Sequence, residues 1–157
     1  MSETKTRRST VKRRPLVVFD SNIYIAYLLS KNPQSPSREL FQYLQTQKYD
    51  LLWCEAIRKE VIEKALEKGI PPRKLISFLA DLSLHAKDID LSSVVIQKIV
   101  NDDPDDDSIV ACALEGKARY LVSYDPHLLK IGRVFRGIRI LNGLHFLYVI
   151  RGDKSPK

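Results

Sequence analysis

Cysteine is nearly absent: Cys54 and Cys112 are the only two, they stand far apart, and each lies in an apolar stretch. That excludes a disulfide framework and any CxxC-type zinc or redox site, so both read as small buried hydrophobes of a reducing compartment. Histidine is almost as scarce. His85, His127 and His145 form no pair at metal-ligand spacing and no Ser–His–Asp arrangement, and they read as packing or surface residues. The six glycines are scattered, so there is no glycine-rich phosphate loop. Long hydrophobic runs are missing too: stretches such as residues 26–29 and 146–150 are far too short to span a bilayer. Residues 1–14 lack the apolar core of a secretory signal, and a cytoplasmic protein is expected.

What is present is an ordinary globular balance. In 157 residues, 44% are hydrophobic and 29% charged, enough for one domain with a real core. Basic residues outnumber acidic ones, 26 to 19, giving a net charge of +7 and an isoelectric point of about 9.4. Such a balance favours an acidic partner such as nucleic acid. The charge is also uneven. Arg7, Arg8, Lys12, Arg13 and Arg14 precede the first apolar run, whereas acids crowd residues 102–107.

Residues 1–14 are expected to be a disordered basic arm, 15–150 a single α/β domain, and 151–157 a polar tail. The continuous apolar run Leu16-Val17-Val18-Phe19 predicts a strand buried on both faces, and Leu51-Leu52-Trp53-Cys54 and Tyr120-Leu121-Val122-Ser123 predict two more. Trp53 therefore reads as core. A last strand is expected at Ile138-Arg139-Ile140-Leu141, and a short extended piece around residues 88–91. Helical spacing separates these strands. Ser35 or Ser37 caps a helix carrying Leu40, Phe41 and Leu44; Ile57, Val61, Ile62, Ala65 and Leu66 make another apolar face; Leu75, Ile76, Leu79 and Leu82 make a third after Pro71-Pro72. Further helices are expected near residues 93–100, after an acid-rich loop at 101–105, and through Phe146 and Val149. Alternation of this kind implies a parallel sheet with helices on both faces.

In open parallel sheets ligands bind beyond the carboxyl ends of the strands, and acids recur there. Asp20 follows the first strand and Asp125 stands just beyond the third. Glu60 lies about two turns into the helix after the second strand, and Asp106 opens the helix before the third. Four carboxylates in one pocket repel one another unless a cation fills it, and an oxygen-only set suits Mg²⁺ or Mn²⁺. Each acid also has a duller reading: Asp20 and Asp106 as helix caps, Asp125 before Pro126 as a turn, and Glu60, near Lys59 and Lys64, as a surface charge. An aspartyl phosphatase would need a second acid two residues after Asp20, where Asn22 stands instead.

Four pieces carry a more specific signal: Val17-Val18-Phe19-Asp20-Ser21-Asn22, residues 54–61, residues 103–114 and residues 118–129. In order and spacing they resemble the PIN-domain nucleases, particularly the bacterial and archaeal branch that contains toxins of toxin–antitoxin pairs. The resemblance runs from about Leu16 to Phe146. It implies a three-layer α/β/α sandwich with a central parallel sheet, and Mg²⁺- or Mn²⁺-dependent endoribonuclease activity on RNA. Residue by residue, Asp20, Glu60, Asp106 and Asp125 match the family's four metal-binding acids. Asn22 and Ser123 match polar positions that hold those acids. Asp103 and Asp107 are spare carboxylates that could share the role of Asp106. Tyr124 stands where relatives commonly carry Gly or Ser. The branch also implies a small antitoxin partner and homodimers, with helices near residues 38–44 and 72–82 as candidate surfaces. The competing reading is a PIN-like module that binds RNA or protein without turnover.

Overall fold

The computed structural model describes residues 13–93, 104–131 and 133–152, with the backbone alone for 104–106. Arg7, Arg8, Lys12, the expected helix near 93–100 beyond Ser93, Asp103 and positions 153–157 lie outside the described residues.

The apolar runs form strands where expected. β1 (Leu16–Phe19), β2 (Asp50–Trp53), β3 (Ala86–Asp88), β4 (Tyr120–Val122), β5 (Val134–Phe135) and β6 (Ile138–Leu141) make one sheet in the order β3-β2-β1-β4-β6-β5. Neighbours from β3 through β6 are parallel, with Val18 opposite Leu52 on one side and Leu121 on the other. The helices are α1 (Ser21–Leu29), α2 (Pro36–Gln45), α3 (Glu55–Glu67), α4 (Pro72–Ser83), α5 (Pro104–Glu115), α6 (Pro126–Leu129) and α7 (Gly143–Arg151). The result is the α/β sandwich read from the sequence, with one addition at the edge. β5 runs antiparallel to β6 through a tight turn in which Arg136 (φ 48°) and Gly137 (φ 85°) are both left-handed. A two-residue turn of this hand matches strand twist, but it is usually written Asn-Gly or Asp-Gly, so Arg136 concealed it.

Strand order decides where ligands can enter. From β1 the chain builds outward through β2 to β3, then returns to place β4 and β6 on the other side of β1. The reversal falls between β1 and β4, and crevices at such points are the usual binding sites of parallel sheets. The chain leaves both strands there: the Asp20 N–H donates to the Val122 carbonyl at 2.9 Å, and the Ser123 N–H to Leu141 at 3.1 Å.

Beneath that crevice sits an aromatic core. Phe19, fully buried, has ring centroids of Tyr24, Phe41, Tyr49 and Phe146 within 5.6–6.0 Å. Leu40, Phe41 and Leu44 face inward as their spacing predicts, and Ser35 is the cap of α2. Two apolar stripes are narrower than expected. On α3, Ile57, Val61 and Ala65 are buried while Ile62 and Leu66 are exposed; on α4, Ile76 is 67% exposed. A helix on a sheet buries one stripe, and residues one position off it turn to the flank. The acid-rich segment also differs from expectation, since Pro104 and Asp105 already belong to α5 rather than to a loop. Proline suits a first helical turn, and acids there are favoured by the positive end of the helix dipole. The extended piece near residues 88–91 is β3, two residues earlier than read. Both cysteines are buried as expected, yet they meet: a hydrogen bond from the Cys112 thiol holds the Cys54 thiol below its ordinary pKa.

Candidate metal centre

Asp20 ends β1 and caps α1, so its carboxylate is fixed by both. Only 2% exposed, it accepts the Ser21 N–H at 2.7 Å on Oδ1, and the Ser123 hydroxyl at 2.6 Å and the Asn22 amide at 3.2 Å on Oδ2. Burial raises its pKa above the ordinary carboxylate value. The hydrogen bonds from Ser123 and Ser21 oppose that shift, nearby Glu60 adds to it, and Lys64 counters it. A carboxylate kept out of water beside another acid is one that a bound cation would stabilise.

Ser123 joins the two central strands. Its hydroxyl also accepts the Asp125 N–H at 2.9 Å and a bond from Asn22 Nδ2 at 3.3 Å, while Asn22 Oδ1 accepts the Tyr124 N–H at 3.2 Å. Asn22 thus ties the start of α1 to the segment after β4. Asp125 caps the short α6, accepting the His127 N–H at 2.9 Å, and its carboxylate lies 3.2 Å from His127 Nδ1. The duller reading of Asp20 as a cap therefore also holds, and Asp125, read as a turn residue before Pro126, is a cap as well: capping is what fixes both side chains.

Glu60 reaches the same place from α3. Its Oε1 accepts the Ser21 hydroxyl at 2.8 Å and pairs with Lys64 Nζ at 2.6 Å; that ammonium also donates to Ser21 Oγ at 3.2 Å. A continuous network therefore runs Asp125–Ser123–Asp20–Ser21–Glu60–Lys64. It links the Asp20 carboxylate to Glu60 through Ser21 and to the backbone N–H of Asp125 through Ser123, with Asn22 bonded to both Asp20 and Ser123. For Asp106 the first turn of α5 is given but not its side chain. Asp107, the next residue, is buried. Among the described residues, no group of three acids, histidines or cysteines is placed to hold an ion unaided. The side chains that surround Asp20 offer oxygen donors without a thiolate, a donor chemistry that suits Mg²⁺ or Mn²⁺ rather than zinc.

Ser21 and Lys64 escaped the sequence reading. Ser21 was visible only as the neighbour of Asp20, and Lys64 had counted against Glu60 by suggesting a surface helix. Of the residues set aside, His85 is exposed and His145 half-buried with its N–H on the Asn142 cap, whereas His127 contacts Asp125.

Two surfaces flank the acids. A groove at the carboxyl ends of β2 and β3 is lined by Cys54, Arg58, Lys59, Asp88, Asp90, Ser92 and Ser108. On the other side Tyr124, half-exposed, lays its ring against Gly143 at the start of α7, where any Cβ would collide with the tyrosine hydroxyl.

A mostly parallel sheet between helices, with Asp20 held by Ser21 and Ser123 where the strand order reverses, defines an α/β domain. More particularly, the chain belongs to the PIN domain family, whose model matches residues 16–127. Among solved structures it is similar to the crystal structure of VapBC2 from Rickettsia felis bound to a DNA fragment from their promoter. That match has a TM-score of 0.55 and 14% identity, covering 81% of this chain and 98% of the other, and it establishes the fold. No curated protein matches. Among the described residues, no helix is long and apolar enough to cross a membrane.

Proposed function

We propose that the chain is a Mg²⁺- or Mn²⁺-dependent endoribonuclease acting through Asp20, Glu60, Asp106 and Asp125. The observation that carries this reading is the hydrogen-bonded path from the Asp125 backbone N–H to the Glu60 carboxylate through buried Asp20, built at the switch point of a PIN domain. A bound divalent cation supplies Lewis acidity toward a phosphodiester and favours deprotonation of the attacking water. The protein's part is to hold oxygen ligands in place. Ser123 and the Ser21 N–H fix the two oxygens of Asp20, Asn22 clamps β1 to β4, and the α6 turn aims Asp125. Asp106 is assigned as the third acid, on the first turn of α5, with Asp103 and Asp107 as its spare neighbours in the acidic run. The chain's net charge of +7 suits an RNA backbone as substrate.

The test is cleavage of single-stranded RNA by the full chain with Mn²⁺, with and without a chelator. Metal-dependent internal cuts support the reading; RNA bound but uncut under all conditions contradicts it. The latter result is what a non-catalytic RNA- or protein-binding module would give, and the observation in its favour is Glu60's existing pairing with Lys64.

Two substitutions probe the design. Ser123→Ala removes a donor from Asp20 without touching an acid, and is expected to weaken Mn²⁺ binding roughly 10- to 100-fold in a metal titration. Unchanged affinity would mean that Ser123 does not support the centre. Gly143→Ala is tolerable to the α7 backbone but displaces the Tyr124 ring. If that ring stacks on a base near the scissile phosphate, RNA affinity should fall roughly 10-fold, and Tyr124→Ala should give the same loss. Equal binding by all three proteins would remove Tyr124 from the RNA site.

The biological reading is the toxin half of a cytoplasmic toxin–antitoxin pair, supported by family membership and by a fold shared with VapBC2. A small antitoxin would block the acids, for instance through an inserted Arg or Lys. Homodimers are expected, with Ile76 and Leu84, 67% and 81% exposed, as apolar surface at α4.

A further inference from the structure

Among the described acids assigned to the centre, Glu60 is in contact with a lysine ammonium. Lys64 Nζ, Glu60 Oε1 and Ser21 Oγ form a closed triangle with sides of 2.6, 2.8 and 3.2 Å. α3 places residues 60 and 64 one turn apart, and Ser21 opens α1, so the ammonium is seated between two helices that pack together. This is not an ordinary surface pair. The Lys64 side chain is 42% exposed but the Glu60 side chain only 14%, and the hydroxyl that completes the triangle follows directly on Asp20 in the chain. Both charges are felt at Asp20, where Glu60 raises the carboxyl pKa and Lys64 lowers it. Two-ion carboxylate centres hold their cations roughly 3.5–4 Å apart, and both ions neutralise shared acids. An ammonium in hydrogen-bond contact with Glu60 takes the place that a second ion would need.

We propose that Lys64 is the second positive charge of this centre, so that the pocket takes one divalent cation, at Asp20, and commits Glu60 to the lysine. The proposal rests on the metal-dependent reading above and adds to it a stoichiometry and a role for a residue outside the four acids. Lys64 is a positioning residue here: it neutralises Glu60 and, through Ser21, orders the turn that carries Asp20.

The experiment is a Mn²⁺ titration of the full chain, reading ions bound per protein by calorimetry and by electron paramagnetic resonance of free Mn²⁺. Wild type and Lys64→Arg should bind one ion, and Asp20→Asn should abolish that binding. Lys64→Met, similar in length but uncharged, should bind two, and adding Glu60→Gln to it should return the count to one. Circular dichroism checks that each variant is folded, and Lys64→Arg keeps the comparison informative should the methionine variant fail to fold, since an arginine variant that binds two ions overturns the proposal. So does a second ion on wild type, or a single ion on Lys64→Met; in either case binding that still depends on Asp20 leaves the metal reading standing. No Mn²⁺ on any of the proteins overturns both.

Discussion

Asp20→Asn is expected to cut RNA cleavage roughly 1,000-fold while leaving a protein that folds at least as well without metal. A bound cation contributes several kcal/mol to a phosphoryl-transfer transition state, and each ~1.4 kcal/mol is a factor of ten in rate. Asp20 is the most deeply buried of the described assigned acids and the one on which the Ser21 and Ser123 bonds converge. The same burial makes it a cost to the fold. With its pKa raised, the folded protein holds the Asp20 proton more tightly than the unfolded chain does. Its contribution to stability is therefore full below the ordinary carboxylate range and lost as pH rises through the folded value. Without metal, the stability of wild type relative to Asp20→Asn should decline as pH rises from acidic to neutral. Mn²⁺ should reverse the ranking, since a ligand at a hundred times its Kd stabilises by about 2.7 kcal/mol, and only wild type should gain. Thermal melts at several pH values, with and without Mn²⁺, read all of this. A variant that cleaves like wild type, or melts higher on adding Mn²⁺, would remove Asp20 from the centre.

The largest effect on stability is expected one residue earlier. Phe19→Ala takes out the ring that Tyr24, Phe41, Tyr49 and Phe146 all surround. Emptying such a site typically costs about 3–5 kcal/mol, a large share of the roughly 5–15 kcal/mol that holds a domain together. The urea midpoint should fall accordingly with little change in slope, and at about 2–4 °C per kcal/mol the melting temperature should drop by roughly 10 °C. Phe19→Leu, which keeps most of the volume, should lose far less. A loss under about 1 kcal/mol for Phe19→Ala would mean that the core collapses around the gap. The position also couples fold to site, because the strand that places Phe19 in the core delivers Asp20 to the crevice.

That coupling explains what could be read from the sequence. Buried parallel strands are apolar along their whole length, so Val17, Val18, Leu51, Leu52, Leu121 and Val122 announced themselves, and Asp20 and Asp125 stood out as the acids that end such runs. Glu60 was weaker because its neighbours are charged; only the approach of α3 to α1 shows that it faces Ser21. The left-handed Arg136, the two-residue strand β5 and the one-turn α6 left no periodicity to detect. Ile62, Leu66 and Ile76 were misplaced because helical spacing locates an apolar stripe but not its width. Ser21 was missed because Glu60 and Lys64 meet it from another helix, and Lys64 because a lysine four residues after a glutamate normally signals solvent.

The most direct test is a crystal of the full chain soaked in Mn²⁺, measured for anomalous scattering. A single peak about 2.0–2.2 Å from a carboxylate oxygen of Asp20, with Asp106 and Asp125 completing an oxygen shell, is the predicted result. A peak elsewhere, or a centre built without Asp20, contradicts it.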